Sequence, residues 1–196
     1  MAMKNIKCQN SVEYYTHYDD KDYYYIVMEK CDVDLKSFIE EKGEISEPMI
    51  KEILTQLNNA FKIMYSNKII HRDLKPENIL INREPFIIKL ADFGTSRIFN
   101  QRNFSTKIGC FGYFAPELLD NKKKKYEPTK CDLWSIGVLI YELKFNDVPA
   151  LQLYNGNIPE KFEDKLLDNL VRRLIVSDPN KRIDWNNYFN HPFFKN

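Results

Sequence analysis

Residues 71–78 read His71-Arg72-Asp73-Leu74-Lys75-Pro76-Glu77-Asn78. Two acids, two bases, a histidine and a carboxamide stand in eight positions, and the pattern on either side treats them as a loop. Upstream, Ile50, Ile53, Leu54, Leu57, Ala60, Phe61, Met64 and Tyr65 recur at three and four. That spacing predicts one long amphipathic helix over 47–66, with Ser46 as N-cap and Pro48 in the first turn. Before it, Asp34 to Glu41 reads as a short helix stopped by Gly43. Further upstream, Val12 to Tyr18 and Tyr23 to Met28 are β-branched and aromatic. Asp19-Asp20-Lys21-Asp22 between them is turn chemistry, so the pair reads as a hairpin.

Downstream, Ile79-Leu80-Ile81 and Phe86 to Leu90 predict a second hairpin. Residues 91–130 lack a clear period, and a stretch of that length without regular structure is usually functional. Asp132 to Leu143 is apolar nearly all round, which predicts a helix buried on every side. Phe162, Leu166, Leu167, Leu170 and Leu174 define another amphipathic helix, broken at Asp178-Pro179. A short helix over Trp185 to Phe189 closes the chain. The fold class is α+β, mostly helical, with a small β piece at the front.

Composition removes several function classes. The 196 residues are 43% hydrophobic and 29% charged, an ordinary globular balance. Lys+Arg is 29 against 28 Asp+Glu, so nothing argues for nucleic-acid or membrane-surface binding. The longest strongly apolar run, Leu133 to Tyr141, is far too short to span a bilayer. The opening MAMKNIKCQN has no secretory h-region. Cys8, Cys31, Cys110 and Cys131 form no C-x-x-C pair, so reduced thiols and a cytoplasmic or nuclear location are expected. The run Lys122 to Lys125 reads as a solvated loop.

Three more constellations follow the first. Asp92-Phe93-Gly94 stands directly after the strand ending at Leu90, Ala115-Pro116-Glu117 comes next, and Asp132-Leu133-Trp134-Ser135-Ile136-Gly137 heads the buried helix. Each is common alone. In this order and context they resemble the eukaryotic protein kinases, and the resemblance runs from Val12 to Phe194. Lys75 after Asp73, Asp178-Pro179-Asn180-Lys181-Arg182 and His191-Pro192-Phe193-Phe194 are similar to the serine/threonine branch. The texture from Asp34 through Gly43 weakly resembles the autophagy-initiating kinases.

The resemblance implies a kinase-like large lobe over 31–196 and a residual small-lobe hairpin with the start of the hinge over 1–30. It implies ATP and Mg²⁺ as cofactors and a protein substrate with a serine or threonine acceptor. Asp73 would accept the proton of that hydroxyl, and Lys75 would meet the transferring phosphoryl group. Asn78 and Asp92 would offer the oxygen ligands that Mg²⁺ prefers. Met28 matches the gatekeeper, Glu29 and Cys31 would meet adenine through backbone groups, and Leu80 would form the floor beneath it. Arg72 suits pairing with a phosphate at Thr106, or at Ser105 as the near alternative. Glu117 would pair with Arg182, while His71, Phe93 and Asp132 would be internal supports.

The chain also departs from the family. Its six glycines include no G-x-G-x-x-G, and the family's phosphate-clamping lysine and its partner glutamate have no counterpart. The expectation is a truncated form or fragment with weak activity alone, since losing one preorganised donor can cost about 100- to 1000-fold in rate. Upstream strands or a partner protein would then cover the hairpin edge. Cys110 replaces the family's hydroxyl after Gly109, and the stretch from Phe145 to Glu160 is short. The competing reading is a catalytically inactive kinase-like scaffold or decoy.

Overall fold

A tyrosine-rich hairpin leads the chain in the computed structural model, which describes residues 6–98, 112–119 and 127–195. Strands β1 (Tyr14–Asp19) and β2 (Tyr24–Met28) pair antiparallel, with an irregularity between Tyr14 and Thr16. One Asp20 oxygen accepts from the backbone N–H groups of Asp22 and Tyr23, both at 2.8 Å, which fixes the turn. The first strand starts later than the pattern suggested. Val12 is 1% exposed and its N–H donates to Leu90 O at 2.9 Å, so it belongs to the body.

A two-residue strand, β3 (Val33–Asp34), leads into α1 (Leu35–Lys42). Asp34 caps the helix, its Oδ1 accepting from Ser37 N at 2.9 Å. Gly43 ends it at φ 74°, its N–H reaching Ile39 O at 2.7 Å. The long helix α2 (Glu47–Ser66) buries Ile50, Ile53, Leu54, Leu57, Ala60, Phe61 and Met64. Ser46 is extended, as an N-cap should be, but its hydroxyl makes no capping bond. Pro48 in the first turn carries no N–H to satisfy, which lowers the demand for one.

Strand β4 (Ile69–Ile70) follows, then β5 (Ile79–Asn82) and β6 (Ile87–Leu90). The sheet order is β3-β5-β6, all antiparallel, and β4 pairs with β7 (Arg97–Ile98). The pillar of the body is α3 (Lys130–Phe145), buried continuously from Cys131 to Lys144. A Cβ added at Gly137 would lie 2.8 Å from Ile175 Cγ1 and 2.9 Å from Leu174 Cβ. The absent side chain therefore lets α5 (Lys165–Leu174) pack against the pillar. Between them lies a five-residue helix, α4 (Ala150–Tyr154), and the last is α6 (Trp185–Phe189).

Phe162 is buried outside α5, packed edge-on against Phe145. Helix α5 stops at Leu174, short of Asp178-Pro179, so proline is not its terminator. Among the described residues no helix is long and apolar enough to cross a membrane. The architecture is the mostly helical α+β arrangement read from the sequence, with a small sheet flanking the site loops.

Candidate active site

The loop after β4 is tied down by a residue some sixty positions away. Asp132, in the first turn of α3, accepts from His71 N at 2.8 Å and from Arg72 N at 2.9 Å. Both N–H groups are thereby satisfied where the chain bends, with Arg72 in the left-handed region at φ 69°. Asp132 is 1% exposed, and burial pushes its carboxyl up to about 6 while those two hydrogen bonds oppose the rise.

His71 is wholly buried. Its Nε2 bonds Ala91 O at 2.9 Å and its ring packs 5.0 Å from Phe93. The carbonyl can only accept, so Nε2 carries the proton. Nδ1 is buried without a hydrogen-bond partner. Burial holds the imidazole below its ordinary range, despite the opposing pull of the Ala91 bond and nearby carboxylates. This is a packed histidine and not a proton shuttle. Thr95 completes the tie: its hydroxyl donates to His71 O at 2.9 Å, and its carbonyl accepts from Arg72 Nε at 2.8 Å.

The candidate acid Asp73 follows this anchor directly. Asn78, in the turn Pro76–Asn78, donates from Nδ2 to Asp73 O at 2.8 Å and to Asp73 Oδ2 at 2.9 Å. Lys75 Nζ stands 3.5 Å from the same Oδ2. Asn78 O in turn accepts from Ala91 N at 2.9 Å, which couples the turn to the end of β6. Asp92 then sits at φ 50°, ψ 72°, exposed, with Oδ1 accepting from Gly94 N at 3.1 Å. Both Asn78 donor hydrogens point to Asp73, which leaves its amide oxygen for a cation. That oxygen and the exposed Asp92 carboxylate are hard donors of the kind Mg²⁺ takes.

The third part is the strand end at Met28. Glu29 N donates to Glu13 O at 2.8 Å. The Glu29 carboxylate turns away to Lys89 Nζ at 3.0 Å. Among the described residues Glu29 O and Cys31 N have no hydrogen-bond partner. Met28 is exposed, whereas Cys31 and Leu80 are half-buried. Burial also raises the Cys31 thiol above its ordinary value. A cavity of about 580 Å³ lies beside Glu29, lined by Lys7, Cys8, Ser11, Tyr14 and Lys89. Asp73, Lys75, Asn78 and Asp92 do not line it, so its size says nothing about the acid-base set.

The family model described as protein kinase domain matches residues 1–194. This chain belongs to the protein kinase family. It is similar to a "Carbon catabolite-derepressing protein kinase" of Secale cereale, 34% identical over 187 residues, covering 88% of this chain and 36% of that one. A "Probable serine/threonine-protein kinase fhkB" of Dictyostelium discoideum is 36% identical over 211 residues, covering 98% and 18%. "Serine/threonine-protein kinase atg1" of the same organism is 33% identical over 190 residues, covering 88% and 27%. The kinase chain therefore sits on the serine/threonine branch. It spans between 18% and 36% of the length of these relatives.

Elsewhere in the kinase chain, Glu117 and Arg182 do form the expected pair. Arg72 is 8% exposed with its guanidinium turned to Thr95 O. Ser105, Thr106, Cys110 and Lys122 to Lys125 lie outside the described residues. Sequence reasoning passed over two participants. Thr95 ties the loop to Asp92-Phe93-Gly94, and its place one residue after that tripeptide was the available signal. Lys89 holds the Glu29 side chain and also donates to Gln9 O at 2.9 Å, and no local pattern marks it.

Proposed function

We propose that this chain transfers the γ-phosphoryl group of Mg-ATP to a serine or threonine hydroxyl of a protein substrate. The observation that carries the reading is the clamp on Asp73: Asn78 Nδ2 at 2.9 Å and Lys75 Nζ at 3.5 Å on one carboxylate oxygen. That grip orients the carboxylate, whose other oxygen accepts the hydroxyl proton as the new O–P bond forms and the bond to ADP breaks. Lys75 is close enough to share its charge with the phosphoryl oxygens in flight. Asn78 Oδ1 and Asp92 would hold Mg²⁺, whose chemistry there would be to neutralise the charge of the triphosphate. Glu29 O and Cys31 N offer an acceptor and a donor to the edge of adenine, Leu80 its apolar support, and Met28 a side wall. Arg72 serves a phosphate on Thr106 or Ser105, for which it would leave Thr95 O.

The sequence holds no G-x-G-x-x-G and no counterpart of the family's phosphate-clamping lysine, so slow transfer is the expected outcome for this chain alone. A second reading, a scaffold that binds without chemistry, is favoured by the exposure of every residue of β2. That surface suits a protein partner along the hairpin edge. One experiment separates the two. Mg-ATP raises the melting temperature of the wild type and not of Asp92→Asn, and labelled phosphate reaches a serine substrate only with Asp73 intact. No thermal shift and no transfer would leave the scaffold.

A further inference from the structure

Tyr18 and Tyr25 stand directly opposite each other in the leading hairpin, one on each strand. Their rings stack, with centroids 4.7 Å apart and planes 17° from parallel. Tyr18 is 56% exposed and Tyr25 37%, so both phenols are open to a diffusing oxidant. Tyr23 also meets Tyr25, but at 6.1 Å and tilted by 56°. The register, not a chance encounter of mobile side chains, holds the stacked pair together.

A base stands at one of the two hydroxyls. Tyr25 Oη donates to Asp20 Oδ2 at 3.0 Å. The other Asp20 oxygen accepts from Asp22 N and Tyr23 N, and those bonds hold its carboxyl below the usual range. The acceptor facing Tyr25 is therefore an ionised carboxylate. A phenol gives up an electron at lower cost when its proton has a base to move to, and Asp20 is that base.

We propose that Tyr18 and Tyr25 form an oxidative cross-linking site, in which hydrogen peroxide acting through a haem peroxidase joins the two rings by a carbon–carbon bond. Each phenol gives one electron and one proton to the oxidant, Tyr25 releasing its proton by way of Asp20. The two phenoxyl radicals couple at a Cε of each ring. The hydrogens on those carbons then return to the oxygens, which restores both phenols. One peroxide takes up the two electrons and two protons and leaves as two waters.

The bond has a structural consequence. Strands β1 and β2 pair only with each other among the described residues, and a hairpin of that kind opens easily. A covalent tie across its turn restricts the opened chain as a disulfide does. The cross-link therefore locks the strand that ends at Met28 and Glu29. Neither tyrosine belongs to the set around Asp73, so the lock does not depend on the phosphotransfer reading.

The test treats the full chain, dilute and with reduced thiols, with hydrogen peroxide and a haem peroxidase. Trypsin cuts after Lys21 and so divides the two tyrosines between peptides 8–21 and 22–30. The expected product is a monomer with dityrosine fluorescence. Its two peptides stay joined in dithiothreitol, two hydrogens lighter than their sum, and fragmentation places the bond at Tyr18 and Tyr25. Tyr18→Phe and Tyr25→Phe should each lose the joined species, whereas Tyr15→Phe and Tyr24→Phe keep it. Asp20→Asn should slow its formation, and hydrogen exchange of the β1 and β2 amides should slow once the bond is made.

The mapped bond in the wild type needs no variant to fold. No joined peptide, a bond mapped to other tyrosines, or links only between chains overturns the proposal. So does a joined species that survives in folded Tyr18→Phe or Tyr25→Phe. An unchanged rate in Asp20→Asn overturns the part given to that carboxylate, and unchanged hydrogen exchange overturns the lock.

Discussion

Glu117 and Arg182 meet through two parallel bonds, Nη1 to Oε1 at 2.7 Å and Nη2 to Oε2 at 2.8 Å. Arg182 has no exposed side-chain surface, donates as well to Val176 O and Lys130 O, and lies 5.2 Å over the Trp134 ring. The segment after the site loops is thereby bolted to the end of the body. Removing the acid strands a buried guanidinium whose remaining partners are neutral. Glu117→Ala is expected to cost about 3–5 kcal/mol. Urea unfolding would measure it, and a loss under about 1 kcal/mol would show the pair to be incidental.

Asp132 makes stability depend on pH in an unusual direction. Its folded carboxyl lies at about 6, above the ordinary 3.8. Between those values the folded state binds more protons than the unfolded one, so this group's contribution is present below about 3.8 and lost as pH rises through about 6. His71 works the other way. Its depressed folded value means that its contribution is present above 6.5 and lost as pH falls through the folded value. Asp132→Asn should remove the first slope and leave the second, at the cost of one orphaned N–H, about 1–3 kcal/mol. Melting curves from pH 4 to 7.5 would show it; parallel curves for the two proteins would contradict the assignment.

Gly137 has no room for a methyl group, with Leu174 and Ile175 already within 3 Å of where it would go. Gly137→Ala gains helix propensity yet overpacks the α3–α5 contact. The net expectation is a loss of about 1–3 kcal/mol, read by denaturant titration. A more stable variant would mean that α5 shifts without penalty.

Asn78→Ala tests the clamp on Asp73. Without Nδ2 the Asp73 carboxylate loses one of its two holders, and the proposed metal donor goes with it. Phosphotransfer should fall about 100-fold or more, while urea stability changes far less. Unchanged transfer would release Asn78 from the site.

Legibility followed the range of the interaction. Helix α2 was readable because eight apolar positions keep one period over more than four turns. The hairpin was readable from tyrosines around four turn residues. Strands β3, β4 and β7 were not, since two residues carry no period. The candidate set Asp73, Lys75, Asn78 and Asp92 was legible as a motif, and the resemblance offered His71, Phe93 and Asp132 as supports, but the individual bonds were not: Asp132 meets His71 across 61 positions, and Lys36 meets Glu142 across 106. Ser46 is the N-cap that the sequence suggests, and its backbone serves there without a bond from its hydroxyl.

The left-handed backbone at Arg72 and Asp92 has an evolutionary consequence. A non-glycine residue there costs on the order of 1 kcal/mol against glycine. Both positions keep a long or charged side chain all the same. A search guided only by thermal robustness would drift toward glycine at these two places, and would erase the acid and the guanidinium together with the strain. Stabilising libraries of this chain should therefore hold Arg72 and Asp92 fixed, and a lineage that has stopped needing the chemistry should reveal itself first by glycine there.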